Sequence, residues 1–271
     1  MEITILSDDR IGTRDGLRSE HGLSILIRTD STCILCDTGA SSLFAENALA
    51  MGIDLSEVDL VFISHAHYDH TGGLEHFLRH HDAPVFISAE AFAAPCFSSR
   101  RGGRRNIGAD PGLKERFPER FTYISESREI AEGIFAVVPE DHGHPSPDGN
   151  RWLEDDFTHE LALAIKTEKG LVIISSCSHH GAANIMETCC RHTGETGIAA
   201  FIGGLHFIDG PDSGRETDSF CRFLDSVHPE TTVLTGHCTG DEAVSHATRN
   251  GRCRIRIFHT GDIFTGNDLA V

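Results

Sequence analysis

The run Ser64-His65-Ala66-His67-Tyr68-Asp69-His70-Thr71-Gly72-Gly73 constrains this chain more than any other stretch, because four of its residues are metal-ligand types spaced to converge on one centre. Leu60-Val61-Phe62-Ile63 precedes it as a short apolar, β-branched-rich segment, which predicts a buried strand leading into the histidines. Alternate side chains of an extended chain point the same way, so His65, His67 and potentially Asp69 aim at one pocket while the residues between them turn away. A turn into helix would swing His70 back beside Asp69. Thr71-Gly72-Gly73 offers tight backbone for that turn, and Leu74, Phe77 and Leu78 give the next segment helical apolar spacing. The competing reading is coincidence in a chain with 18 histidines among 271 residues, several of which, such as His80-His81, resemble solvated surface.

A hydrophobic content of 39% over 271 residues suffices for a sizeable core, as one large α/β domain or two small ones, without staples. The net charge of −18 argues against general affinity for nucleic acid or an anionic membrane, although a local basic patch could receive an anionic substrate. Met1-Glu2-Ile3-Thr4-Ile5-Leu6 alternates like a strand and lacks the features of a signal peptide, and no later apolar run approaches a membrane span, so a cytoplasmic location is expected. The nine cysteines, Cys33, Cys36, Cys96, Cys177, Cys189, Cys190, Cys221, Cys238 and Cys253, are odd in number and show no disulfide framework, which fits a reducing compartment. Cys33 and Cys36 lie in an apparent strand, where residues three apart face opposite sides, and read as buried structural thiols rather than a redox or zinc pair.

Strands are expected at 2–7, 22–29, 32–36, 59–64 and 84–88 in the first half, with helices near 41–51 and 73–81. The second half predicts strands near 134–138, 160–167, 170–175, 198–203, 231–235 and 253–258, with helices at 181–192, 216–227 and 240–248. An early meander thus gives way to strand-helix alternation, a pattern that two sheets covered by helices would accommodate. No internal repeat or dividing linker is visible. The segment at about 96–121 carries Arg100, Arg101, Arg104, Arg105, Lys114, Arg116 and Arg120 against Asp110, Glu115 and Glu119. It reads either as a solvated surface loop or as a mobile cap whose arginines grip a phosphate or carboxylate near the metal.

Four other places repeat one grammar, in which an apolar strand ends in small residues and then presents a His or Asp. Asp37-Thr38-Gly39 follows Ile34-Leu35-Cys36, and Cys177-Ser178-His179-His180-Gly181 follows Leu171-Val172-Ile173-Ile174. Gly203-Gly204-Leu205-His206 follows Phe201-Ile202, and Thr235-Gly236-His237-Cys238-Thr239-Gly240 follows Thr232-Val233-Leu234. A lone strand-end histidine is more often structural, but several sharing this placement favour one common site on loops carried by a layered scaffold.

In these motifs the chain resembles the metallo-β-lactamase superfamily, whose signature is His-x-His-x-Asp-His preceded by an Asp-Thr-Gly-like turn and followed by further strand-end ligands. Within it, 65–74, the Cys177-Ser178-His179 turn with Asn184, Gly203-Gly204-Leu205-His206 and Gly236-His237-Cys238-Thr239-Gly240 resemble the subfamily related to dihydropterin-ribofuranosylaminobenzene phosphate synthase, usually described as metal-dependent hydrolases. The resemblance covers nearly the whole chain in motif order and implies a single metallo-β-lactamase-like domain over 1–271, an α/β four-layer αββα sandwich with a mono- or dinuclear metal centre at one edge. By position it implies His65 and His67 as ligands of a first metal, Asp69, His70 and His237 as ligands of a second, and Asp37 as the group that orients a ligand histidine. His179 is the first choice for the middle ligand, while His206 is open between ligand, substrate contact and proton carrier. Asp141-His142-Gly143-His144-Pro145 departs from the subfamily's Gly-Glu-Ile-Pro-Arg-like stretch, so His142 and His144 either substitute as ligands or line the cleft as substrate contacts.

A Lewis-acidic ion lowers the pKa of bound water to about 7, and a pair of ions about 3.5–4 Å apart can stabilise both attacking and leaving oxygens. The expected activity is therefore metal-assisted hydrolysis of an anionic small molecule, a phosphoester ahead of a lactam, with Asp69 holding the nucleophile and His206 donating to the leaving group. The alternative is a synthase-like transferase using a phosphoribosyl donor. A di-iron redox protein is disfavoured because no flavin-binding segment is visible, and a non-catalytic metal protein because the ligands lie on loops rather than in a closed site. Zinc is the expected ion, with iron and manganese compatible with the same ligands, and neither nucleic acid nor membrane is an expected partner.

Overall fold

The computed structural model describes residues 1–93, 96–100, 102–210, 213–250, 253–266 and 268–269. In chain order the first strands are β1 (Glu2–Ser7), β2 (Ser24–Arg28), β3 (Cys33–Cys36), β4 (Leu60–Phe62), β5 (Val85–Ser88), β6 (Phe97–Ser98), β7 (Arg105–Asn106) and β8 (Phe121–Ile124). They are followed by β9 (Arg128–Ala131), β10 (Ile134–Val137), β11 (Leu153–Glu154), β12 (Ala162–Thr167), β13 (Gly170–Ile174), β14 (Ile198–Ile202), β15 (Thr232–Thr235), β16 (Arg254–Ile257) and β17 (Ile263–Thr265). The helices are α1 (Leu43–Ala50), α2 (Tyr68–Thr71), α3 (Leu74–His80), α4 (Leu113–Arg116), α5 (Ala182–Thr193), α6 (Ser213–Val227) and α7 (Asp241–Asn250). None of the described helices is long and apolar enough to cross a membrane. The class is α/β, as expected, and the chain forms two compact units.

Unit 1 comprises Met1–Ser125, Trp152–His159 and His259–Thr265 and carries the sheet β17-β1-β2-β3-β4-β5-β8. Pairings from β17 to β3 are antiparallel, and those from β3 through β4 and β5 to β8 are parallel. One face of this sheet, with Leu6, Leu26, Leu35 and Val61, packs on Phe44 and Ala48 of α1 and on Leu74, Phe77 and Leu78 of α3. A small sheet, β11-β6-β7, completes the unit.

Unit 2 comprises Glu126–Arg151, Glu160–Phe258 and Gly266–Val271, with the sheet β16-β15-β14-β13-β12-β10-β9. Here too one half is antiparallel, from β9 to β13, and the other parallel, from β13 to β16. Leu171, Ile173, Phe201 and Val233 face Ile185, Met186 and Cys189 of α5 and Phe220, Phe223 and Leu224 of α6. Each fully buried side chain of this size contributes roughly 1.5–3 kcal/mol.

In both sheets the polar motifs follow the carboxyl ends of parallel strands, where open α/β sheets place their ligands. Register makes this work: Cys36 is level with Phe62, so Asp37 N–H bonds the Phe62 carbonyl at 2.9 Å and lies beside the exit of β4. In unit 2, Ile173 is level with Phe201, and Phe201 with Val233, so Ser175 and Gly203 emerge on neighbouring strands, each bonding the next strand's carbonyl at 3.0 Å.

Elements absent from the sequence reading are short or masked by composition. Phe121-Thr122-Tyr123-Ile124 is β-prone, but the basic stretch before it suggests a loop. Two-residue strands such as β6, β7 and β11 lie below the length at which periodicity is readable. Cys33 and Cys36 are buried and form no disulfide, as expected, whereas Cys221 and Cys253 form one against the expectation of no disulfide framework. Gly72 and Gly73 sit in right-handed helical backbone, so glycine serves there for close approach and not for a positive φ. A Cβ on Gly72 would collide with the Ala40 carbonyl, and one on Gly73 with the carbonyls of Thr38 and Ser41. Gly72→Ala should therefore lower stability by about 1–3 kcal/mol, measured as a reduced urea midpoint.

Candidate metal centre

β4 delivers the signature run into unit 1. His67 is the last extended residue before α2, at φ −71° and ψ 147°, so the chain turns at Tyr68. Asp69 thus sits in the helix and not in the extended run, with its Oδ2 3.8 Å from His70 Nε2, which realises the expected swing of His70. The buried Asp37 carboxylate organises the group, accepting Ser64 N–H at 2.8 Å, Ser64 Oγ–H at 2.6 Å and His70 Nδ1–H at 2.8 Å.

These bonds assign protons. With its own proton on Asp37, Ser64 Oγ accepts at 2.9 Å from His65 Nδ1, leaving the His65 lone pair on Nε2. His70 likewise carries its proton on Nδ1. His67 donates from Nε2 to Asp155 Oδ2 at 2.8 Å, which leaves its lone pair on Nδ1, and burial lowers the His67 pKa despite the Asp155 hydrogen bond, keeping the ring neutral. His65 Nε2 and His67 Nδ1 stand 3.1 Å apart, two lone pairs with no proton to share. Two nitrogens on a tetrahedral zinc ion would lie ~3.3 Å apart for Zn–N bonds of about 2.0–2.1 Å, so the pair fits a divalent cation.

Around His67 lies a group that the sequence did not disclose: Cys96, Asp155 and His159, whose donor atoms lie within 4.8 Å of one another and of His67. Burial would raise the Asp155 pKa, but hydrogen bonds from His159 and His67 hold it well below the usual carboxylate range. Burial and the nearby Asp155 push the Cys96 thiol up to about 12.

Unit 2 presents its own donors. Ligand atoms of Cys177, His179 and His206 lie within 4.8 Å of one another, as do those of Cys177, His237 and Cys238. Asn150 Nδ2 donates to the His179 carbonyl at 2.8 Å, which turns its Oδ1 toward His179 Nδ1 at 2.9 Å and assigns the His179 proton to Nδ1. Both ring nitrogens of His206 are buried without a hydrogen bond among the described residues, an arrangement that suits a ligand or substrate contact. Burial would raise the Cys238 pKa, but Cys177, His206 and His237 around it pull it well below the usual thiol value. Glu160 is buried and accepts the N–H groups of His179 at 2.7 Å and His180 at 2.8 Å; those bonds and His180 lower its pKa against the opposing effect of burial.

Backbone strain coincides with these groups. Among the described residues the non-glycine positions at positive φ are Asp37 (59°), Phe157 (57°), Ser178 (57°), His206 (54°) and His237 (48°). Each such position costs of order 1–3 kcal/mol and persists only where surroundings over-determine it. The glycines allow the loops to close: a Cβ on Gly203 would collide with the Ser175 carbonyl, and one on Gly204 with Cys238 Sγ.

His142 and His144 pack on α5: His142 Nε2 is 3.1 Å from Thr188 Oγ1 and His144 Nε2 3.2 Å from Glu187 Oε1. His144 also lines a cavity of about 440 Å³ walled by Phe207, Phe220 and Phe223 with Arg215 and Arg222. Of the basic segment, Arg101 lies outside the described residues, and Arg104 is engaged by Glu154 Oε2 at 2.8 Å and stacked over Phe97. Arg100 and Arg105 are exposed and are held through their backbones, Arg100 N–H on Ser98 Oγ at 3.3 Å and Arg105 level with Ser98 in the small sheet. The segment reaches the signature run through its backbone, with Tyr68 N–H on the Ile107 carbonyl at 2.7 Å.

The sequence model described as the metallo-beta-lactamase superfamily matches residues 18–157. A Methanocaldococcus jannaschii protein named 7,8-dihydropterin-6-methyl-4-(beta-D-ribofuranosyl)-aminobenzene-5'-phosphate synthase is 29% identical, over 97% of this chain and 96% of its own length. A crystal structure of a metal-dependent hydrolase of the beta-lactamase superfamily superposes with a TM-score of 0.82 at 32% identity, covering 98% of both chains. The anti-Pycsar protein Apyc1 of Paenibacillus harenae is 28% identical over 53% of this chain and 61% of its own length.

Asp37→Asn would set an amide N–H against the His70 and Ser64 donors and push the His70 proton onto Nε2. Metal affinity should fall about 10–100-fold in chelator competition while the circular dichroism spectrum is retained.

Proposed function

We propose that this chain, which belongs to the metallo-β-lactamase superfamily, is a metal-dependent hydrolase of an anionic small molecule, with a phosphoester as the first substrate class. The observation that carries the reading is the facing pair of lone pairs on His65 Nε2 and His67 Nδ1, since neutral imidazoles whose protons are all committed elsewhere suit a cation. The superfamily implies a divalent metal; zinc is our first assignment, as one or two ions, and iron or manganese could use the same donors. His65, His67, Asp69, His70, His179 and His237 are its proposed ligands, with Asp37 holding His70 in the required tautomer.

A divalent ion held there would supply Lewis acidity, lowering the pKa of bound water to about 7. Asp69 orients the attacking water and accepts its proton. His206 contributes a ring that can deliver a proton to the leaving group, because neither of its nitrogens is committed to a hydrogen bond among the described residues. Arg100 and Arg105, exposed in unit 1, are the side chains that would meet charge on the substrate.

A second reading is supported by the relative named as a synthase, which aligns over nearly its whole length. In it the same residues serve a transferase that uses a phosphoribosyl donor, with an amine in place of water as the nucleophile.

The metal-loaded enzyme, assayed against phosphodiesters, phosphomonoesters, lactones and phosphoribosyl donors, separates the two. Hydrolysis predicts ¹⁸O from labelled water in the product, and Asp69→Asn should lower kcat by about 10²–10⁴-fold. Pyrophosphate release that depends on an added aromatic amine, without ¹⁸O uptake, would overturn hydrolysis in favour of synthesis.

A further inference from the structure

His67, Cys96, Asp155 and His159 form, within unit 1, a compact four-donor cluster of the composition that binds zinc or iron. All are buried: the side chains of His67, Asp155 and His159 are 5%, 3% and 5% exposed. The cluster has two incompatible explanations, a separate metal site or a hydrogen-bonded clamp on His67. A single backbone bond decides between them.

Ala66 N–H, from the residue between the signature histidines, donates to His159 Nδ1 at 3.1 Å. A backbone N–H can only donate, so His159 Nδ1 holds the lone pair and, in a neutral ring, Nε2 holds the proton. Nε2 lies 3.0 and 3.1 Å from the two oxygens of Asp155, the natural destination of that proton. To ligate a metal through Nε2, His159 would have to become an imidazolate or give up the Ala66 bond. The nitrogen of His67 that faces the cluster is committed in the same way, donating from Nε2 to Asp155 Oδ2.

The carboxylate itself is fixed by its own turn. Phe157 N–H donates to Asp155 Oδ1 at 2.8 Å with Phe157 at φ 57°, a conformation an aromatic residue seldom adopts. Asp155 therefore gathers three N–H donors, from His67, His159 and Phe157, and can satisfy them only as a carboxylate.

We propose that Asp155 is a positioning residue: held by His159 and the Phe157 turn, it keeps the His67 proton on Nε2 so that Nδ1 faces the metal, and the four-donor cluster is a clamp and not a metal site. This rests on the reading of His67 as a metal ligand. It predicts an asymmetric response to substitution. In Asp155→Asn one oxygen becomes an amide donor that opposes a ring N–H. His159 is held by Ala66, so His67 is the ring that yields, moving its proton to Nδ1.

Long-range ¹H–¹⁵N spectra of the metal-free protein test this directly, with His67 assigned by its loss in His67→Gln. Wild-type protein should show His67 as the Nε2–H tautomer and His159 likewise, and Asp155→Asn should convert His67 alone to Nδ1–H. Zinc titration with chelator competition should show about 10–100-fold weaker binding in Asp155→Asn at unchanged saturating stoichiometry, and no change in Cys96→Ser. Loss of one metal equivalent in either variant would establish the cluster as a metal site and overturn the proposal. An Nδ1–H tautomer in metal-free wild-type protein would overturn it without any variant. Zinc binding that is unaffected by both His65→Gln and His67→Gln would instead sink the metal reading of His67, whatever the tautomers show.

Discussion

The buried carboxylate of Asp37 is the interaction on which the unit 1 site depends. It joins the ends of β3 and β4 to α2 by accepting from Ser64 N–H, Ser64 Oγ–H and His70 Nδ1–H. An uncompensated carboxylate at this depth would cost several kcal/mol, and these three donors are what make its burial tolerable. The donors in turn receive their orientation from it. Through Ser64 Oγ its influence reaches His65 Nδ1, so one carboxylate fixes the proton positions of two histidines that are five residues apart. Asp155 plays the corresponding part for His67, from a segment far along the chain but in the same unit.

Strain and close packing mark both units at the same kind of place. Asp37, Ser178, His206 and His237 all adopt left-handed backbone in the loops that follow parallel strands, and Phe157 does so inside the turn that presents Asp155. At of order 1–3 kcal/mol each, these conformations draw on the stability of the sheet-helix cores, where Phe44 and Phe77 in unit 1 and Phe201 in unit 2 are fully buried. Left-handed backbone reverses the chain within one residue, so a side chain leaving a strand can stay at its end instead of being carried off along a loop. Gly203 and Gly204 serve the same end by letting backbone approach where a Cβ would not fit.

Much of this was legible in order along the chain. Period-two and helical apolar patterns located the long strands and helices to within a few residues, because each buries one face or both and the burial imposes the pattern. The signature run, Asp37 and the strand-end histidines were visible because residue type and placement after an apolar run are local properties. The basic segment was visible too, but its charge said nothing about which arginines were engaged, and only folding set Arg104 against Glu154 and Phe97.

What the sequence determined by itself was the α/β class, the succession of elements and which strand ends carry metal-ligand chemistry. Only the tertiary structure decided where the protons sit. Whether His67 offers Nδ1 or Nε2 depends on Asp155, 88 residues away, whether His159 is ligand or clamp depends on the amide of Ala66, 93 residues away, and Glu160 becomes a loop anchor because the His179 and His180 amides reach it. The meander and the strand-helix alternation hinted at antiparallel and parallel pairing, but which strands neighbour one another, as in the order β16-β15-β14-β13-β12-β10-β9, follows from long-range pairing. Hydrogen-bond partners that are remote in sequence cannot be read from spacing, and in a site built from neutral imidazoles those partners set the chemistry.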